Sequence, residues 1–206
     1  MCYNLESSIY SFTIAVISSY LMYRRNNKLD KFNYPLIFAY SFVQLGEAFM
    51  WYDLNCGNLN KLGGYIAYYS LASHVFAMGV SLYLINKNSL GIILGILTLI
   101  YLTYNLPSIN CSKTENNLEW GFNPQYYTWV YILVLVLAFI IKINYKYKII
   151  LFILYNSLLL YFFHNKFNII NIHKFFKYNR MEVATLWCNA ASLSSPLIYL
   201  LGYVNL

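Results

Sequence analysis

Apolar runs of fifteen to twenty-two residues alternate with short polar stretches along most of this chain. Runs of that length approach what an α-helix needs to cross a ~30 Å hydrocarbon layer, about 20 residues at 1.5 Å rise each. They show no sustained two-residue alternation and exceed the ~10-residue strands of a membrane barrel, so helices are expected. The residues that would coat a soluble domain are missing: 10% of the chain is charged and 60% hydrophobic, against roughly 25% charged in ordinary soluble proteins. A soluble enzyme, a secreted disulfide scaffold and a disordered tail are all poor fits. The expected fold is an all-α integral membrane bundle forming a single domain over residues 1–206.

Seven spans are expected, at about 9–23, 35–51, 64–85, 90–106, 126–141, 149–163 and 183–204. Several are shorter than ~20 residues, which calls for flanking tyrosines and lysines that snorkel or for a thin host membrane. The first span precedes its basic residues and lacks a small-residue cleavage pattern, so it reads as a retained helix and not as a signal peptide.

The net charge of +7 does not indicate a nucleic-acid partner, because the basic residues lie between the apolar runs. Arg24, Arg25, Lys28 and Lys31 form one juxtamembrane group, and Lys142, Lys146 and Lys148 another. Such groups set topology and touch anionic lipid. With the N-terminus outside or lumenal, the inner loops through residue 148 hold eight basic residues and the outer ones two, Lys61 and Lys113. Lys166, Lys174, Lys177 and Arg180 count against this orientation. The stretch 167–180 is an interfacial helix, with Ile169, Ile172, Phe175 and Phe176 on one face, or a solvated basic loop. The abundance of Asn, Ile, Tyr, Lys and Phe also matches AT-rich codon usage, so the 23 tyrosines mark no site by themselves.

In this topology Cys56 and Cys111 face the same oxidising side and are a candidate disulfide, with Cys2 a competing partner. Cys188, inside the last span, reads as a packing residue. Asn110-Cys111-Ser112 fits the glycosylation acceptor pattern, which a disulfide at Cys111 would obstruct. Glu115, Glu119, Trp120 and Phe122 form an acidic-aromatic patch that caps the bundle mouth or contacts a partner.

Ionisable groups inside hydrocarbon are costly, so those present are candidate functional residues. Glu47 is the one carboxylate well inside an expected span, with Gln44 and Trp51 on the same helical face. Ser70, Ser73 and His74 lie in the third span, where Ala67, His74, Ala77 and Ser81 mark a mostly small-residue face; Thr185, Asn189 and Ser192 share a face in the last, above Pro196, an expected kink or helix end. Counting 1.5 Å per residue inward from the expected span ends puts Gln44, Glu47, Ser70 and Asn189 in one outer-half layer, with His74 a turn below. The layer is helix-packing glue, with Glu47 protonated or bonded to Trp187 or Ser70, or a pocket in which Glu47 and His74 bind a small solute or relay protons.

No metal-ligand constellation, Ser-His-Asp arrangement, phosphate loop or dinucleotide fingerprint occurs, so neither an enzyme nor a cofactor is expected. The last span has no lysine for a retinal Schiff base. Gln44-x-x-Glu47-x-x-x-Trp51, Ser73-His74 and Trp187-Cys188 together resemble a family of uncharacterised multi-pass membrane proteins of large, AT-rich DNA viruses. The resemblance implies a viral product in a virion or host membrane and supplies no activity. Two functions stand open: a transporter, channel or receptor-like bundle whose partners are the bilayer and a small solute or proton, and a structural or interaction protein of a viral or organellar membrane; a hydrolase or lipid-modifying enzyme is a distant third, resting only on His74 beside serines.

Overall fold

The computed structural model describes residues 4–114, 118–122, 127–146 and 194–203. Their regular elements are helices apart from one short strand pair. The helices are α1 (Leu5–Arg25), α2 (Lys28–Tyr52), α3 (Asn58–Asn86), α4 (Leu90–Tyr104), α5 (Tyr127–Ile140) and α6 (194–201). Between α4 and α5 lie β1 (Lys113–Thr114) and β2 (Leu118–Glu119), antiparallel, with Lys113 opposite Glu119 and Thr114 opposite Leu118.

Local chemistry sets the helix ends. Asn4 and Ser7 form a reciprocal capping box at the start of α1, and Asn27 and Asp30 form a second at the start of α2, each satisfying amides that a helix leaves without intrahelical acceptors. Between them Asn26 takes the left-handed conformation, φ 59°, which asparagine tolerates better than most residues. The start of α3 is capped from a distance: the Asp53 carboxylate accepts from the amides of Leu59 and Asn60, 3.1 Å each, and from Gly57 at 3.1 Å.

Small residues let the helices approach. A Cβ on Gly46 would lie 2.7 Å from the Gly63 carbonyl oxygen, so α2 and α3 touch through their backbones there. Gly79 and Gly91 play the same part between α3 and α4, where Gly95 also lies against the Phe76 backbone. Small residues at crossings of this kind are the usual means of joining helices where lipid removes the hydrophobic driving force. α5 joins α3 at the far end, where Asn86 donates to the Ile140 carbonyl, 3.3 Å, and accepts from the Lys142 amide, 3.0 Å.

On α1 and α4 small or polar residues face inward and large apolar ones outward. The buried face of α1 is Ser8, Ser11, Ala15, Ser18, Ser19 and Met22, while Ile9, Tyr10, Ile17, Tyr20 and Leu21 face outward. On α4 the glycines and Leu102 are buried, whereas Ile93, Ile96, Leu97 and Ile100 are exposed.

The helices correct the expected spans in two respects. α1, α2 and α3 run to 21, 25 and 29 residues, because polar first and last turns continue helices that the apolar runs alone make look short. Conversely, among the described residues only Asn58–Asn86 is both long and apolar enough to qualify as a crossing on length and composition, while Leu90–Tyr104 is apolar but shorter. The inward serines of α1 and the inward polar residues of α2 dilute the average hydropathy of those helices. Span 149–163 and most of 183–204 lie outside the described residues.

Candidate functional site

The buried stripe of α2 carries the polar chemistry. Asp30, Asn33, Ile37, Tyr40, Gln44 and Glu47 follow at intervals of three and four, which places them on one helical face. All are at most 3% exposed, with Gln44 and Glu47 at 0%. The stripe facing them on α3 is Gly63, Ala67, Ser70, His74, Ala77 and Ser81, all buried. Antiparallel register brings Gly46 to Gly63 and Ala67, Tyr40 to His74, and Phe32 to Ser81.

Glu47 is met from above by the segment after α4. Trp120, 3% exposed, donates its indole Nε1–H to Glu47 Oε1 at 3.1 Å. Phe122 stacks on Trp120 with ring centroids 5.3 Å apart, and Tyr68 meets Phe122 edge-on at 5.5 Å. Tyr68 in turn donates to the Leu102 carbonyl at 2.8 Å, fixing the end of α4. The acidic-aromatic patch thus supplies its aromatic members to the interior of the bundle mouth.

Two further ties hold this segment. Cys56 and Cys111 form a disulfide, with Cα atoms 5.2 Å apart. Buried Asn60 exchanges hydrogen bonds with the Ser112 backbone, accepting from its amide at 2.8 Å and donating to its carbonyl at 3.0 Å; it also donates to the Met50 carbonyl at 3.3 Å. Ser112 itself is fully buried and its hydroxyl accepts from the Gly121 amide, so the hydroxyl of the Asn110-Cys111-Ser112 pattern is occupied inside the fold.

Deeper in the bundle His74 packs against Tyr40, ring centroids 4.0 Å apart, both side chains about 1% exposed. Seven residues of α2 separate Tyr40 from Glu47, about 10 Å of rise. The expected layer is therefore a column, with Trp120 and Glu47 at its upper end, Gln44 between, and Tyr40 with His74 below. Ser70 donates to the Ala39 carbonyl, two turns along α2 from Glu47, and Ser73 to the Ser70 carbonyl of its own helix at 2.7 Å. The shared depth of Ser70 and Glu47 fails because α3 begins at Asn58 and not near Gly64, which shifts the register of α3 against α2. Asn189 and Ser192, with Thr185, Trp187 and Cys188, lie outside the described residues.

At the other end Arg25 grips Asp30 through two parallel bonds, Nε to Oδ2 at 2.8 Å and Nη2 to Oδ1 at 2.6 Å. The hydrogen bond to Asp30 holds the guanidinium pKa above its ordinary value. The rings of Tyr199 and Tyr203 cover the guanidinium, at 4.3 and 4.2 Å from its central carbon. Nη2 also donates to the Tyr199 carbonyl at 2.7 Å, and Asn27 to the Gly202 carbonyl at 3.0 Å. The last described turn of the chain is thereby docked on the α1–α2 connection.

Three groups escaped the sequence reading. Trp120 belongs to the expected mouth patch, but its partner lies 73 residues away and no local signal pairs them. Asn60 sits in a polar first turn that reads as loop. Tyr40 had a legible signal, since it continues the stripe of Gln44 and Glu47 at helical spacing. Among the described residues no three His, Cys, Asp or Glu side chains are grouped to hold a metal ion. No protein-family model, characterised protein or solved structure matches the chain.

Proposed function

We propose that the chain is a seven-span membrane protein of transporter, channel or receptor-like type, in which the column from Glu47 through Gln44 to Tyr40 and His74 takes a proton or a small cationic solute. The carrying observation is a carboxylate at 0% exposure, bonded to an indole and continued inward by further buried polar groups, inside helices whose outward faces are isoleucine, leucine and tyrosine. A carboxylate in a low-dielectric interior attracts cations and protons more strongly than one in water. The charge distribution supports the orientation: Arg24, Arg25, Lys28, Lys31, Lys87, Lys142 and Lys146 belong to one end of the bundle, Lys61 and Lys113 to the other. That asymmetry favours the first end as cytosolic.

The test is flux into liposomes loaded with a pH-sensitive dye. The wild type should pass protons or a monovalent cation with a pH-dependent rate. Glu47→Gln, nearly isosteric and able to accept the Trp120 bond, should lower that rate by about tenfold or more, the ordinary scale for loss of a positioned proton-transfer group. Unchanged flux in a folded Glu47→Gln variant removes the site reading.

A second reading has its own support: a structural or interaction protein of a viral or organellar membrane. Ser19 donates to the Tyr34 carbonyl, Ser81 to Phe32 and Tyr68 to Leu102, at 2.8–3.0 Å, so several buried hydroxyls already fasten one helix to another. Under this reading Glu47→Gln alters stability alone.

A further inference from the structure

We propose that Ile37 is the apolar plug of a polar path running the length of α2, from Glu47 at the outer end to the Arg25–Asp30 pair at the inner one, and that the cargo of this path is a proton. The inference rests on the reading of the Glu47 column as a proton or solute site. It adds where the column leads, what crosses it and what limits the rate.

The column does not stop at His74. On α2 the same buried face continues through Ile37 to Asn33 and Asp30, and on α3 through Ala77 to Ser81. Asp30 and Glu47 are 17 residues apart, about 25 Å of rise, which is most of a ~30 Å hydrocarbon layer. At the inner end the surface is close, since Asn26 and Lys28 are exposed and Arg25 is only partly buried.

Two apolar gaps interrupt the stripe, one on each helix, and they coincide. Between Tyr40 and Asn33 this face of α2 carries only Ile37; between His74 and Ser81 the facing stripe of α3 carries only Ala77. Each gap spans about 10 Å of rise. Register aligns them: Tyr40 packs on His74 at the outer border, and Ser81 donates to the carbonyl of Phe32, beside Asn33, at the inner one. Ile37 is fully buried and belongs to the hydrophobic core. A charge entering such a stretch sheds its hydration without finding a polar partner, and apolar constrictions limit conduction in this way. The plug, and not the carboxylate, is therefore the highest barrier on the path.

Close packing selects the cargo. The Tyr40 and His74 ring centroids are 4.0 Å apart, and α2 and α3 touch through their backbones at Gly46 and Gly63. That width suits a proton passed between hydrogen-bonding groups and excludes an organic solute.

The test is proton flux through the full chain in liposomes, driven by a potassium gradient with valinomycin and read with an internal pH-sensitive dye. Ile37→Ser should raise the rate by about tenfold or more, equivalent to a barrier lower by about 1.4 kcal/mol. Ile37→Leu keeps volume and apolarity and should stay near wild type. Ala77→Ser reaches the same level from α3 with one added oxygen, and should raise flux even where Ile37→Ser fails to fold. Val75→Ser is the control: Val75 is fully buried but lies about 100° around α3 from His74, off the stripe, and flux should not change. Ile37→Ser/Glu47→Gln should fall back to the rate of Glu47→Gln, because plug and carboxylate lie in series. Equal gains in Ile37→Ser and Val75→Ser would mean a loosened bundle and overturn the plug, as would a double variant as fast as Ile37→Ser alone. Glu47-dependent uptake of rubidium or tetramethylammonium without proton flux overturns the assignment of the cargo. Glu47-dependent proton flux that neither Ile37→Ser nor Ala77→Ser accelerates keeps the column and removes the plug; absence of Glu47-dependent flux from the wild type and from both plug variants removes the column reading itself.

Discussion

Arg25 shows how much one side chain organises in this molecule. It closes a bidentate pair with Asp30, which is 1% exposed, lies against two tyrosine rings and donates to a backbone carbonyl. Removing one partner of such a pair leaves the other charge buried, which typically costs about 3–5 kcal/mol. Arg25→Ala should therefore destabilise the protein by about 3 kcal/mol in denaturant unfolding in detergent. Arg25→Lys should recover part of that loss, since an ammonium can pair with Asp30 but cannot fork or stack. A loss below about 0.5 kcal/mol for Arg25→Ala, the usual range of plain surface changes, would mean that the pair does not hold the turn. In sequence alone the bases of this turn are a juxtamembrane group that sets topology and touches anionic lipid. Asn27-x-x-Asp30 was legible as a capping box, but the engagement of Arg25 depends on Tyr199 and Tyr203, far along the chain and invisible to local pattern.

At the scale of elements, the contact between α2 and α3 fixes the depth of everything in the column. Gly46 and Gly63 meet backbone to backbone, so a larger residue must push the helices apart or twist one against the other. Gly63→Leu should cost about 1–3 kcal/mol, the range for overpacking, and should weaken the Trp120–Glu47 bond, seen as a changed Trp emission relative to wild type. An unaltered melting temperature and emission would mean that the helices do not meet there. The four expected spans that fall wholly on described residues lie within or along α1 to α4, and most of the fifth lies on α5, because hydrophobic periodicity and length are strong signals for a helix; of these only α3 is long and apolar enough to qualify as a crossing. Depth was not legible. Asn58, Asn60 and Lys61 are polar, so the apolar run seems to open at Gly64, whereas the Asp53 carboxylate starts the helix at Asn58. Six residues of unseen helix are about 9 Å of rise, enough to turn an expected layer into a column.

For the whole molecule, the inward serines and outward isoleucines favour a hydrocarbon surround, and the proposed topology follows from which ends carry the bases. Single cysteines replacing Lys61 and Lys113 should react with an impermeant maleimide from one face of sealed vesicles, and those replacing Lys87 and Lys142 from the other. A cysteine at Lys174, outside the described residues, should react from the Lys113 face; reaction of all positions from one face would sink the topology. The docking of Tyr199 and Gly202 on the α1–α2 turn has a consequence for biogenesis. The carbonyls that receive Arg25 and Asn27 lie 174 and 175 residues downstream of them. A ribosome delivers α1 and α2 long before it delivers those acceptors, so the turn that comes first out of the translocon is completed last. Until then the Arg25 guanidinium has Asp30 but not its aromatic cover, and a chain that stalls before α6 leaves that end of the bundle open.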